Sequence, residues 1–296
     1  MVKRLLLILD GASEPLRESP TSLERARTPA LDALGREGSV GRLRTVPPGL
    51  PAGSECALPA LLGWVPPGPV DRGALEAAAA GVEAASGERA WRVDVLDADG
   101  RRGSDGAAGA AAARLEADLP AHRVVRIAGH RLLVVGPPPL PPLDGGLVVW
   151  PEGELPPRLL DDRTVVVAAS GAALGAALLL GARAIRPAGA TGGTDTDLRA
   201  KAIAARRAIT DGAERVVVHV GAPDEAAHAR DGAAKSAALE RVDAQLVAPL
   251  AHVAAAAGGT LRVCPDHGCD PATRRARQCA RPCARLAGPR PARTAD

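Results

Sequence analysis

Residues 215–228 read RVVVHVGAPDEAAH, a run of β-branched residues that stops at glycine and leads at once to Asp224 and, four positions on, His228. Short apolar runs without polar alternation mark strands buried on both faces of a parallel sheet. Two other stretches share the form: Arg4–Leu9 runs into Asp10 and Gly11, and Thr260–Cys264 leads to Asp266 and His267. In open α/β sheets ligands sit beyond the carboxyl ends of the strands, so these three clusters of acids and imidazoles are expected to meet on one sheet edge. Helices are expected between them, at 28–37 with Thr28 as N-cap and Pro29 in the first turn, at 194–209, and at 234–257.

Between residues 76 and 193 the texture changes. Short β-like runs at 92–96, 122–127, 131–135, 147–150 and 164–168 are separated by PPPLPP and glycine-rich turns. The expected architecture is therefore α/β, with a three-layer α/β/α core from 1–75 and 194–270 and a smaller inserted α+β domain at 76–193. The Ala-rich 107–114 stretch reads as a helix segment or a linker.

Composition excludes several function classes. The chain has no Phe, no Tyr and only Trp64, Trp91 and Trp150, so its core must be built of Leu, Val and Ala, and it lacks the aromatic platforms on which unpaired bases stack. Its net charge of +3 depends on seven arginines between Arg274 and Arg293; without that terminus 30 basic residues face 33 acidic ones, Asp296 being the acid removed. No polyanion footprint remains, and no nucleic-acid partner is expected. The opening MVKRLLLILDG holds an apolar run of only Leu5 to Leu9, too short for a secretory h-region or a membrane span, so a cytoplasmic protein without a membrane partner is expected. The five cysteines (Cys56, Cys264, Cys269, Cys279, Cys283) follow no zinc spacing and read as reduced thiols without a shared role.

Asp224 and His228, four apart, share one face of a helical turn, and their oxygen and nitrogen donors suit zinc or manganese. With Asp10, Asp266 and His267 they form a set of three acids and two imidazoles, and acids gathered in a buried place need cations. Ser54 follows Gly53 in LPAGSE, where it can cap a helix or stand at a helix N-terminus that holds a phosphate. There is no GxSxG elbow, so ordinary acyl-transfer hydrolysis is unsupported.

LLLILDG at 5–11, ARTPALDALGREG at 26–38, PAGSECA at 51–57, GATGGTDTDLRAKA at 189–202, HVGAPDEAAHARD at 219–231, KSAALERVD at 235–243 and CPDHG at 264–268 together resemble the cofactor-independent phosphoglycerate mutases of the archaeal type, in the alkaline phosphatase superfamily. The resemblance implies an alkaline-phosphatase-like core and interconversion of 3-phosphoglycerate and 2-phosphoglycerate, with Ser54 as nucleophile. It implies two divalent metal ions, manganese or zinc with magnesium possible: one held by Asp10, Ser54, Asp266 and His267, the other by Asp224 and His228. Arg72, Arg92, Arg131 and Lys201 match positions that present cations to the phosphate and carboxylate of the substrate, whereas Asp94 stands where the family has Asn. A related metal-dependent phosphotransferase or phosphatase of homoserine-kinase type, or a catalytically impaired relative, is the alternative. Oligomeric state is left open.

One departure bears on the second metal. The family supplies a further histidine shortly after the Asp-His pair, and this chain has none beyond His267. The terminus at 271–296, rich in Arg, Cys and Pro and without periodicity, reads as disordered or as the product of a shifted reading frame.

Overall fold

The computed structural model describes residues 3–16, 19–273 and 276–277. The chain opens with β1 (Arg4–Leu9), followed by helices α1 (Ser22–Arg25), α2 (Pro29–Glu37), α3 (Ser54–Leu62) and α4 (Arg72–Ala80). Then come β2 (Arg89–Val95), α5 (Asp105–Asp118), β3 (Arg123–Ala128), β4 (Arg131–Gly136) and β5 (Leu147–Val149). The next elements are β6 (Thr164–Val167), α6 (Ala172–Leu180), β7 (Arg183–Ile185), α7 (Leu198–Thr210), β8 (Arg215–Val220) and α8 (Ala222–His228). Helix α9 (Gly232–Val242) runs through a π-helical turn (Asp243–Val247) into α10 (Ala248–Ala256), β9 (Thr260–Cys264) and the short pair β10 (Gly268–Cys269) and β11 (Ala276–Arg277).

Among the described residues, five strands form a parallel sheet in the order β7-β6-β8-β1-β9. Leu5, Leu7 and Leu9 of β1 face a layer that includes Leu198, Ala205, Leu239 and Leu250 from α7, α9 and α10. Ile8, one register step away, packs on the other side with Leu58, Ala176 and Leu180 of α3 and α6. Alternation along one strand thus serves two helical layers, each fully buried leucine contributing about 1.5–3 kcal/mol. β1, flanked by β8 and β9, carries the ends of all three to the same edge.

A second, antiparallel sheet in the order β3-β4-β2-β5 carries α5 on one face, where Val93, Val95, Leu132 and Val134 meet Ala108, Ala112 and Leu115. Its other face meets α4 through Ala77, Ala90, Leu133 and Val135. Gly73 permits that approach, since a β-carbon there would lie 1.9 Å from the Ala90 carbonyl oxygen. The Ala-rich 107–114 stretch is helical, within α5.

Three expectations are corrected. The inserted unit does not reach residue 193: β6 and β7 pair in the parallel sheet, because TVVV at 164–167 is a run buried on both faces. The helix expected at 194–209 starts at Leu198, capped by the Asp197 carboxylate, which accepts the Ala200 N–H at 2.8 Å. The helix expected at 234–257 is interrupted by the π-turn, just before Pro249 removes an amide from the ladder. The expectation for 271–296 falls, beyond Thr273 and apart from Ala276 and Arg277, outside the described residues.

Candidate active site

Asp10 follows β1 directly, and the turn after it requires glycine: Gly11 has φ +62°. The Gly11 amide donates to Asp266 Oδ1 at 3.2 Å, which also accepts from the His267 amide at 2.8 Å. Ser54 is the first residue of α3, and its hydroxyl lies 3.3 and 3.4 Å from the Asp10 carboxylate oxygens and 3.3 Å from His267 Nε2. Asp10 stands between two imidazoles, His267 Nε2 at 3.1 Å and His219 Nε2 at 3.3 Å. At the head of α8, Asp224 Oδ2 lies 3.3 Å from His228 Nε2. The side chains expected at three strand ends, together with Ser54, thus occupy one place.

Burial shapes their protonation. It works to raise the Asp10 carboxyl, but hydrogen bonds and charge from His219 and His267 overcome it and hold Asp10 well below the usual carboxylate range. Asp266 is pushed up to about 6, first by burial and then by the negative Asp10. Burial works against a protonated His267, yet Asp266 and Asp10 raise it well above an ordinary imidazole.

The donor set fits divalent cations. Asp224 Oδ1 and Asp266 Oδ2 are buried with no hydrogen-bond partner, and three carboxylates converge, a costly arrangement without positive charge. Three triads bring ligand atoms within 4.8 Å of one another: Asp10 with His219 and Asp266, Asp10 with Asp224 and His267, and Asp224 with His228 and Cys269. Lys235 braces the floor, its ammonium donating to the Gly11 and Cys269 carbonyls at 2.8 and 2.6 Å and pairing with Glu14 at 2.9 Å.

Three of the four cations suggested by sequence are gathered in a second cluster. Arg72 pairs with Glu55 at 3.1 Å and Glu76 at 3.0 Å, and Arg92 with Glu76 at 2.6 Å and Asp94 at 2.8 Å. Arg131, at 3.7 Å from Glu76, is the least tightly held. Glu55 follows Ser54 in the chain, so this network adjoins the nucleophile's helix. Lys201 lies elsewhere: fully buried, it donates to the His219 carbonyl at 2.8 Å and braces the end of β8, while burial lowers it to about 8. Sequence reading does not place Cys269 among the ligands, whereas an imidazole inside the apolar run RVVVHV is the signal for His219.

A cleft of about 680 Å³ lies between the antiparallel unit, at Leu96 and Arg102, and α8, at Glu225 and His228. Arg102 and Glu225, both lining it, form an ion pair. No helix among the described residues is long and apolar enough to cross a membrane.

Comparison with known proteins agrees with this geometry. The Metalloenzyme superfamily model matches residues 2–277. A 2,3-bisphosphoglycerate-independent phosphoglycerate mutase of Archaeoglobus fulgidus is 30% identical, with 83% of this chain and 79% of that protein aligned. One from Methanosarcina acetivorans is 28% identical over 341 positions, covering 90% of this chain and 86% of the relative; since 341 exceeds this chain's length, the relative carries insertions within the matched range. A solved structure from Pyrococcus horikoshii superposes with a TM-score of 0.77 at 22% identity, covering 97% of this chain and 87% of the other. A cofactor-independent phosphoglycerate mutase from Thermoplasma acidophilum gives 0.54 at 19% identity, covering 90% and 87%. The chain belongs to the Metalloenzyme superfamily and, within reach of its relatives' sequences, to the 2,3-bisphosphoglycerate-independent phosphoglycerate mutase family.

Proposed function

We propose that this chain is an isomerase that interconverts 3-phosphoglycerate and 2-phosphoglycerate through a phosphoserine at Ser54. The observation that carries the reading is the Ser54 hydroxyl at the start of α3, 3.3 Å from both Asp10 and His267 and beside buried carboxylate oxygens that lack partners. The names of the relatives support the substrate. Asp10, Ser54, Asp266 and His267 would hold one divalent ion, manganese or zinc, and Asp224 with His228 a second. Such a pair, when bound, lowers the serine pKa and neutralises phosphoryl oxygens.

The chain's own groups do the rest. The ionised Asp10 is an acceptor for the Ser54 proton, and the Ser54 and Glu55 amides at the start of α3, ahead of the Cys56 amide that donates to the Gly53 carbonyl, are donors for the phosphoryl oxygens. Transfer breaks the bond from phosphorus to the substrate's C3 oxygen and makes one to Ser54 Oγ, while the C3 oxygen takes up the proton that Asp10 received from Ser54. The glycerate turns, its 2-hydroxyl gives its proton to Asp10 and takes the phosphoryl group back, and that proton returns to Ser54 Oγ as the bond from phosphorus to Oγ breaks. Arg131, the least committed guanidinium, is the cation for the substrate's anionic end. Throughout, the antiparallel unit keeps water from the phosphoserine.

The test uses 3-phosphoglycerate carrying labelled phosphorus, an acid quench and peptide mapping. The label is expected on the Ser54 peptide, and Ser54→Ala should reduce interconversion by about 10³-fold or more. Appreciable mutase turnover by the alanine variant, or label on another residue, would overturn the reading.

A further inference from the structure

We propose that Cys269 completes a three-ligand divalent-metal site with Asp224 and His228, so that a thiolate serves where the chain has no further histidine. The inference deepens the two-metal reading above and rests on it for the presence of a cation.

The geometry comes first. The Cys269 sulfur, an Asp224 carboxylate oxygen and an His228 ring nitrogen lie within 4.8 Å of one another, a spread one ion can span with Zn–S near 2.3 Å and Zn–N and Zn–O near 2.0–2.2 Å. A second observation is independent of the cysteine: Asp224 is 8% exposed and its Oδ1 has no hydrogen-bond partner, an orphaned anionic oxygen in the same place. The Cys269 backbone is clamped, its amide donating to the Gly11 and Ser13 carbonyls at 3.2 and 3.1 Å and its carbonyl accepting from Lys235 at 2.6 Å. His228 lines the cleft, which leaves a fourth position open to a substrate oxygen or water, as catalytic sites of this coordination number require.

Other donors are accounted for. His219 sits with Asp10 and Asp266, and His252 is an exposed residue of α10. A thiol binds a divalent ion as the thiolate, so binding exchanges a proton for the metal: the S–H bond breaks, a sulfur–metal bond forms, and one proton leaves to solvent. A site of one sulfur, one nitrogen and one oxygen favours zinc or cobalt and disfavours magnesium, which demands six oxygens in octahedral array.

The experiment is a titration of the full chain with Co(II). We expect a thiolate-to-cobalt charge-transfer band in the near ultraviolet that saturates at one equivalent, is lost in Cys269→Ser and persists in Cys56→Ser and in the double variant Cys279→Ser/Cys283→Ser. Zinc affinity at that site should fall about tenfold or more in Cys269→Ser. X-ray absorption on the zinc-loaded wild-type chain, which needs no variant to fold, should find one sulfur at about 2.3 Å. Bound cobalt or zinc without sulfur, or a band that survives Cys269→Ser, would overturn the assignment while leaving the two-metal reading standing. A chain that retains no cobalt after desalting would overturn both.

Discussion

Gly11 turns the chain at φ +62°, and a β-carbon on it would meet Asp224 Oδ1 at 2.5 Å and the Asp224 Cα at 2.9 Å. Gly11→Ala would be strained at its own backbone, by about 1–2 kcal/mol, and would also displace Asp224. Calorimetric titration with zinc should therefore show weakened binding at the Asp224 position, along with a lower melting temperature. Glu76, enclosed by three arginines, gives a different reading at the same scale. Burial would raise it, but the charges of Arg72, Arg92 and Arg131 prevail and hold it at about 2, against 4.5 for a free side chain. Because the folded value is the lower one, its contribution is complete above pH 4.5 and is lost as pH falls toward 2. That contribution is on the order of 3 kcal/mol in full, with about 2 kcal/mol gone by pH 3. Urea midpoints at pH 5 and pH 3 should differ accordingly in the wild type, and the difference should shrink in Glu76→Gln.

Helix α2 is capped from far away in sequence. The Thr28 side chain makes no cap bond; the buried Asp243 carboxylate instead accepts the Ala30 and Leu31 amides at 3.0 and 2.8 Å. Asp243→Ala should cost about 2 kcal/mol in denaturant unfolding, and Thr28→Val, which removes only a hydroxyl, less than half of that. The contrast shows what local sequence can tell. Asp10, Asp224, His228, Asp266 and His267 were legible because Asp10, Asp266 and His267 lie within three residues of a strand end and Asp224 and His228 on the short helix after β8, and strand ends in a parallel sheet share an edge. Asp243 as a cap, Glu55 and Glu76 as partners of the arginines, and Cys269 beside Asp224 were hidden, since each depends on a contact between distant segments. The strand at 164–167 was assigned to the inserted unit for a related reason: a run such as TVVV reads alike in either sheet, and only tertiary pairing decides which one receives it; β7, only three residues long, was not expected at all.

At the scale of the whole molecule, the antiparallel unit meets the core across the cleft beside His228, where the Arg102–Glu225 pair spans the two. Both side chains are more than a third exposed, so the pair is worth roughly 0–1 kcal/mol, too little to hold the two units together by itself. On the proposed phosphoserine route, Arg102→Ala is expected to admit water to Ser54. Inorganic phosphate released per product formed is expected to rise several-fold, and an unchanged ratio would show that closure depends on other contacts. The arginine network has an optical consequence as well. Trp150 lies with the Arg72 and Arg92 guanidinium carbons each 5.1 Å from its ring centroid, in a chain with no tyrosine and two other tryptophans. Its emission is therefore not masked by phenolic fluorescence, and any anion that draws either guanidinium away changes the electric field at the indole; with the arginine network in its proposed role, substrate arrival is expected to give an intrinsic fluorescence signal that needs no label.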